Sequence, residues 1–304
     1  KPLVGRGAGP SDAAVIRPRY ETPTGIALGC GLCPEWSDID PYLMAVLAVD
    51  EALRNVVCVG ADPNRTAILD NFCWPKADSE ESLGALVRAC KGASDAAVAY
   101  GLPFISGKDS LNNEFSMSAS EAQRTGLPPR LAIPPTLLIS AIGIVHDVRR
   151  CVSMDLKKSG NFLALASAPV VGGAALRHAV GFTAGKALHD RVAGLIQSGR
   201  VAAAHDVSDG GILIAVAEMC IASGWGASVK VDEGALGCGP WDAIATTYVL
   251  EMSESDATAS GLPIIGRVLD AALLRVQWGG AEAFDVSVEE LARAWREPLM
   301  DGGH

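Results

Sequence analysis

The chain has 304 residues, 49% of them hydrophobic and 20% charged, and its 35 acidic against 25 basic side chains leave a net charge of −10. That length suits two globular domains of ~150 residues each, and the acidic balance repels a polyanion, so nucleic acid is excluded as a partner and phosphate could be held only in a local basic pocket. The longest apolar runs, such as 134–145, are too short and too broken by Gly and Pro to span a bilayer, and no basic segment leads a hydrophobic one at the start, so a cytoplasmic protein without membrane contact is expected.

Taken in chain order, Cys30-Gly31-Leu32-Cys33 has metal-like or redox-like spacing, but with no second CxxC or paired His nearby plain packing is the better reading. The eight cysteines fall mostly in apolar segments, which suits buried reduced thiols better than a disulfide framework. Asp40-Pro41 starts a helix over 42–59, where Leu43, Val46, Leu47, Leu53 and Val57 recur near period 3.6. A strand over 66–69, a helix over 82–100 stopping at Gly101, a buried strand near 103–105 running into a loop over 106–110, and a buried strand over 137–145 follow. The polar stretch 155–161 marks a boundary, giving domains 1–154 and 155–304. The second half predicts a strand over 162–166, a turn at Gly172-Gly173, a helix over 185–198, a strand over 201–204, a helix over 212–222, and strands over 247–252, 264–269 and 274–278. This irregular alternation fits a layered α/β domain rather than a repeated βαβ array.

Three constellations carry chemistry. In "AHDVSDGG", His205, Asp206, Ser208 and Asp209 occupy the turn before Gly210-Gly211, where glycines admit a ligand closely and helix amides favour phosphate. Ser208 or Asp209 could equally cap the following helix, which would leave His205 and Asp206 unexplained. Glu51 and Asn55 lie four apart on one helix face, either as a solvated face with Arg54 or as ligands. Should Glu51 converge with Asp206, their repulsion requires a cation between them, and such oxygen ligands suit magnesium completed by nucleotide phosphate. In "SGKDS", Lys108 could neutralise phosphate, Asp109 could bind metal and Ser110 could hold a substrate oxygen; as an isolated hexapeptide it reads equally as a surface turn, and it is not a P-loop.

The segments "DIDPYLMAVLAVDEALRNVVCVGADP", "AILDNFCWP", "PFISGKDSLNNEF", "PPTLLISAIG" and "AAAHDVSDGGILIAVAEM", in this order, resemble the C-terminal half of the phosphoribosylformylglycinamidine synthase family, within the aminoimidazole ribonucleotide synthetase-like superfamily. The resemblance implies an α+β protein: an N-terminal half-barrel domain followed by a layered α/β C-terminal domain. It implies a ligase that uses ATP and glutamine to convert formylglycinamide ribonucleotide into formylglycinamidine ribonucleotide, with ATP/ADP and Mg²⁺ as cofactors. Its implied partners are the N-terminal half of the synthetase and a glutaminase domain or subunit.

Carried over by position, the resemblance makes Asp70 and Gly107 ATP contacts, Ser110 a substrate contact, Glu51, Asn55 and Asp206 magnesium ligands of a second nucleotide site, and Ser208 a nucleotide contact there. Lys108, Asp109, His205 and Asp209 are further candidates. Where many relatives place a magnesium-binding Asp, this chain has Cys30-Gly31, and Lys108-Asp109 stands where others carry Asn. No histidine here matches the family's catalytic one, and no Cys-His-Glu glutaminase segment is present. The chain is therefore expected to be a piece of a longer polypeptide, incompetent alone and dimeric if isolated. The rival expectations are a non-catalytic scaffold half and another ATP-using member of the superfamily.

Overall fold

The computed structural model describes residues 3–168, 181–232, 234, 239–242, 245–280 and 283–297. The expected Gly172-Gly173 turn, together with His178, Cys238 and His304, lies outside the described residues.

The chain opens with a two-stranded hairpin, β1 (Leu3–Val4) and β2 (Gly9–Pro10). There follow β3 (Ala14–Ile16), β4 (Gly25–Leu32), α1 (Pro41–Cys58), β5 (Thr66–Cys73), α2 (Glu80–Tyr100) and β6 (Phe104–Ser110). A small excursion holds β7 (Glu114–Ser116), α3 (Ala119–Thr125) and β8 (Arg130–Ala132), and β9 (Thr136–Val145) returns to the sheet. The five strands run in the order β3-β4-β9-β5-β6, all antiparallel except β5 with β6. Capping chemistry sets the helix starts: the Asp40 carboxylate accepts from the amides of Tyr42 and Leu43 ahead of Pro41, and Ser79 accepts from Ser82. Gly101, at φ 76°, closes α2 in the left-handed conformation.

Strand β9 alternates strictly. Leu137, Ile139, Ala141 and Val145 are buried beneath α1, while Leu138, Ser140, Ile142 and Ile144 line the opposite face. Among the described residues no helix covers that face: Ile16, Leu28 and Ile105 are 51%, 41% and 59% exposed, and a hollow of about 610 Å³ lies over Leu28, Leu69, Ile105 and Ile142. Among the described residues no sheet closes into a barrel.

The second unit comprises β10 (Phe162–Ser167), α4 (Phe182–Gln197), β11 (Ala203–Asp206), α5 (Gly211–Ser223), β12 (Gly226–Val231), β13 (Thr247–Met252), α6 (Glu254–Ser260), β14 (Ile264–Leu269), β15 (Leu273–Trp278), β16 (Phe284–Ser287) and α7 (Val288–Arg296). Its sheet order is β11-β13-β10-β14-β12-β15-β16, with only β12 and β15 parallel. One face packs with α5 and α7 around Leu163, Val216, Met219 and Val276. The other face joins α4 and the helices of the first unit in a single core that runs from Ile68 and Val56 to Val192, Ile196, Tyr248 and Leu250. Polar contacts lock the same junction: Asn64 donates to Asp190, and Lys186 donates to the side-chain oxygen of Asn64 and the carbonyl of Tyr100. The two units therefore meet as rigidly as one interior.

The opening hairpin belongs spatially to the second unit. The Gly7 amide donates to the carbonyl of Ala222 at 2.8 Å, and Arg296 donates to the Gly7 carbonyl at 2.6 Å. Of the seven described cysteines, all free, only Cys58 and Cys220 are buried, so the expectation of buried thiols holds for those two. No helix among the described residues is long and apolar enough to cross a membrane.

Two local expectations are corrected. The segment 106–110 is not a loop but the body of β6, because its backbone pairs with β5 to the end. His205 and Asp206 are not in a turn; they close β11, opposite Val249 and Tyr248 of β13.

Candidate functional site at the junction of the two units

Helix α1 carries three charged residues in one and a half turns, and the junction buries two of them: Asp50 is 1% and Arg54 4% exposed. Arg54 forks. Its Nη1 donates to Asp50 Oδ2 at 2.6 Å, while Nη2 and Nε donate to Asp206 Oδ2 at 3.1 and 3.3 Å. The cation required between Glu51 and Asp206 is thus supplied by the chain itself, and the three surrounding carboxylates hold the guanidinium firmly charged. This excludes the solvated-face reading for Arg54.

Glu51 Oε2 accepts from the Leu32 amide at 2.8 Å and from the Cys33 thiol at 3.4 Å. Burial raises its pKa, Arg54 pulls the other way, and Asp206 adds to the rise. Asn55 points elsewhere, its amide donating to the Cys30 carbonyl at 2.8 Å. Asp206 is pushed up by burial against the pull of Arg54. Behind it, His205 donates from Nδ1 to Asp12 at 2.7 Å and from Nε2 to Glu218 at 3.0 Å. With both ring nitrogens donating, the imidazole carries two protons. Burial alone would lower its pKa, but Asp12 and Glu218 hold it well above its usual value. Asp12, His205 and Asp206 bring ligand-type atoms within 4.8 Å of one another, yet a doubly protonated ring has no lone pair for a metal, so the trio is an ion-pair cluster.

Ser208 and Asp209 are not spent on capping. Helix α5 starts from Gly210 with no side-chain cap, so both side chains are left to the space between α1 and β11. There, Leu32, Cys33, Glu35, Trp36, Glu51 and Arg54 from the first unit face Val207, Ser208, Asp209 and Ala245 from the second, around a cleft of about 30 Å³. That volume admits a small ion or a water or two. Gly211 is required at its turn: φ is 71°, and a Cβ would lie 2.6 Å from the Trp241 carbonyl carbon. Burial raises the Glu35 pKa, and Asp209 adds to the rise. The acidic groups lining the cleft, Glu35, Glu51 and Asp209, outnumber the one arginine and offer hard oxygens that fit a magnesium ion, while Asp206 stands behind Arg54.

The other predicted residues form a second, separate place. Parallel pairing sets Asp70 beside Gly107 and Phe72 beside Asp109 on the helix-covered face, and Cys73 beside Ser110 on the open one. A Cβ at Gly107 would lie 1.9 Å from Asp70 Oδ1, so the glycine makes room for that carboxylate. Burial raises the Asp70 pKa and Asp109 raises it further. Lys108 and Ser110 share the open face and hydrogen-bond to each other. A cleft of about 500 Å³ runs from Asp70 along α2, past Cys90, Ser94 and Val98 to Phe104.

The reading of the motifs thus brings Glu51, Asp206, Ser208 and Asp209 to one junction, and Asp70, Gly107 and Asp109 to one face of β5–β6. Asp12, Asp50, Glu218 and His189 are the charged or titratable groups it missed. For Asp50 and His189 the available signal was a polar residue at a core-facing position of an apolar helical run, "AVLAVDEAL" and "KALHDRVAGLI".

Two family models match: the AIR synthase related protein N-terminal domain over residues 10–145 and its C-terminal domain over 177–278. The chain is 31% identical to phosphoribosylformylglycinamidine synthase subunit PurL of Chelativorans sp. (strain BNC1), over 96% of this chain and 41% of the relative. It is 33% identical to the PurL subunit of Thermomicrobium roseum, over 97% of this chain and 38% of the relative. It thus spans about two fifths of the length of these relatives. In fold it is similar to T. maritima PurL complexed with ADP, at TM-score 0.70 and 20% identity over 95% of this chain and 47% of that one. It is also similar to the hydrogenase maturation protein HypE in complex with ATP, at TM-score 0.61 and 16% identity over 86% of this chain and 84% of that one. These proteins share the fold of this α+β chain, which belongs to the AIR synthase related family.

Proposed function

We propose that this chain is the C-terminal portion of an ATP-dependent ligase that converts formylglycinamide ribonucleotide, ATP and glutamine into formylglycinamidine ribonucleotide, ADP, phosphate and glutamate. The observation that carries the reading is the junction cleft, where Glu51 and Arg54, the latter paired with Asp206 behind it, meet Ser208 and Asp209 under an excess of negative charge. Glu51 and Asp206 would hold magnesium, which when bound offsets phosphate charge. Ser208 would hydrogen-bond the nucleotide and Arg54 would supply the fixed positive charge beside it. Asn55 joins this set only by turning from Cys30. In the β5–β6 region, Asp70 and Gly107 would contact ATP and Ser110 the ribonucleotide, with Lys108 and Asp109 completing the charge around transferred phosphate.

Domains 1–154 and 155–304 would each be one half of a synthetase-like unit, with the opening hairpin reaching over to the second. The open face of the first sheet would be covered by the N-terminal half of the enzyme, or by a second copy of this chain when isolated, since apolar surface of this kind calls for a partner. Ammonia would come from a glutaminase domain or subunit, and the isolated chain would not complete the reaction. T. maritima PurL has been solved with ADP, with ATP and with FGAR, and as PurLQS, which supports nucleotide, substrate and partner assignments of this kind.

A second reading, a nucleotide-holding or empty scaffold half, is favoured by one observation. A Cβ at Gly31 would lie 2.2 Å from the Ala48 carbonyl oxygen and 2.6 Å from the Ala52 amide, so α1 packs where a relative's magnesium-binding Asp would stand. Calorimetric titration of magnesium-ADP and magnesium-ATP, with light scattering in the same buffer, separates the two. Magnesium-dependent binding by a dimer is the expected result. A folded dimer that binds neither nucleotide would replace the first reading with the second.

A further inference from the structure

Thr246 holds a left-handed backbone, φ 48°, and is fully buried; among the described residues no other β-branched residue has a positive φ. Glycine enters that region freely, whereas a β-branched side chain does so against a steric cost and stays only where its surroundings hold it. Asp50 is what holds it. The Thr246 amide donates to Asp50 Oδ2 at 2.8 Å, and its hydroxyl donates to Oδ1. Asp50 is a hub in turn: Arg54 donates to Oδ2 at 2.6 Å, and Tyr100 Oη and His189 Nε2 each donate to Oδ1 at 3.1 Å. Helices α1, α2 and α4 thus jointly fix a carboxylate that grips both donors of one residue in the second unit.

The kink adjoins the cleft on both sides. Just before it, Ala245 lines the cleft and packs on Leu43 and Leu47 of α1, with Cys33 and Trp36 against the same cluster. Just after it, Thr247 opens β13, and its carbonyl accepts from the Val207 amide at 3.0 Å, next to Ser208 and Asp209. The Thr246 carbonyl accepts from the Ala168 amide at 3.2 Å, so the chain beyond the kink is tied down on its own account. Rotation of Thr246 to a negative φ would therefore break its grip on Asp50 and swing the other arm, the one that carries Ala245, away from α1. We propose that Thr246 is a positioning residue of the junction cleft: clasped by Asp50, its left-handed turn keeps the Ala245 wall against α1 and so sets the cleft's small volume. The effect on ligands rests on the nucleotide reading given above. The wall itself is read without a ligand, through the Cys33 thiol beside it.

The test follows alkylation of Cys33 in the full chain, read by peptide mass, together with thermal unfolding and calorimetric magnesium-ADP binding. Thr246→Val keeps the shape and removes the hydroxyl half of the clasp. Cys33 is expected to react about tenfold faster, the size of one net hydrogen bond lost, while the exposed Cys30 and Cys90 keep their rates. Magnesium-ADP is expected to bind about tenfold more weakly, because the wall is no longer preorganised. Thr246→Ser, which keeps the hydroxyl, should restore both within about twofold. Tyr248→Phe removes the hydroxyl that His189 Nδ1 accepts at 2.5 Å, so it should lower stability and leave the Cys33 rate within about twofold. A Cys33 rate that stays at the wild-type value in Thr246→Val, or that rises equally in Tyr248→Phe, would overturn the proposal as a merely structural role. Should Thr246→Val not fold, Thr246→Gly, which accepts the same φ without the hydroxyl, takes its place, and Cys33 rates equal to those of Thr246→Ser overturn the proposal. Wild-type protein that binds no magnesium-ADP removes the nucleotide reading and leaves the Cys33 comparison to decide this inference. Wild-type binding with Cys33 and ADP both unchanged in Thr246→Val removes this inference alone.

Discussion

The two candidate regions are built in opposite ways. At the junction cleft every charged group but those on the rim has its partner inside the chain: Arg54 with Asp50 and Asp206, His205 with Asp12 and Glu218. On β6 the residues Ile105, Gly107, Lys108 and Asp109 are exposed, and among the described residues the strand has a neighbour on one side only. The first region is finished by the fold of this chain, with walls contributed by both units. The second is an open surface that, among the described residues, nothing else in the chain covers. A site whose charges are already balanced is costly to disturb, whereas an open one tolerates change.

Substitutions can break this contrast. The largest effect is expected from Asp50→Asn: removing one member of a fully buried ion pair should cost ~3–5 kcal/mol in denaturant unfolding, a loss that would show nothing if the hub were dispensable. Burial would raise the pKa of this carboxylate, but Arg54, His189 and Thr246 hold it well below the ordinary carboxylate range. Its contribution is therefore present above the unfolded value near 3.8 and lost as pH falls below it.

Next come two identical changes at matched glycines. Gly31→Ala drives a methyl into the backbone of α1 and should cost ~1–3 kcal/mol or more, whereas Gly107→Ala meets only the far end of the Asp70 side chain and should cost under ~1 kcal/mol while turning that carboxylate aside. Equal losses in thermal unfolding would mean that the β6 edge is as tightly built as the cleft. The smallest effect is expected at Asp147, a surface group whose pKa its bond with Arg149 lowers to about 2. Its modest stabilisation should be present above pH 3.8 and vanish as pH falls through about 2, so Asp147→Ala and wild type should differ in melting temperature at neutral pH and converge in strong acid.

Much of the framework is legible from periodicity. The apolar stripe of α1 with Asp40-Pro41 before it, the strict alternation of β9 and the apolar runs of β13 and β14 announce themselves locally. Strand β4, "GIALGCGL", is harder to see, because its glycines are chosen for the close approach of α1 and dilute the strand signal. Helix α7 follows Ser287 with Glu290 in a capping box, a signal present in the sequence and available to anyone scanning the last segment. The ligand-type residues at 51, 206 and 208 can be picked out as a motif. That Arg54 would be interior could not, since what buries it arrives from residues 189, 206 and 246, far along the chain. The loop expected at 106–110 fails for a related reason: its polarity reflects an edge without a cover, not an end of pairing.

The opening hairpin has a consequence for how the molecule is made. Residues 3–12 meet Ala222, His205 and Arg296, so during synthesis this hairpin must wait for segments roughly 200 to 290 positions further along the chain. At ~5–20 residues per second, the ~200 residues between them take roughly 10–40 s to be translated, long beside the microseconds in which a hairpin can form. The hairpin is thus a clasp between segments far apart in sequence, closed only after α5 and α7 have been made.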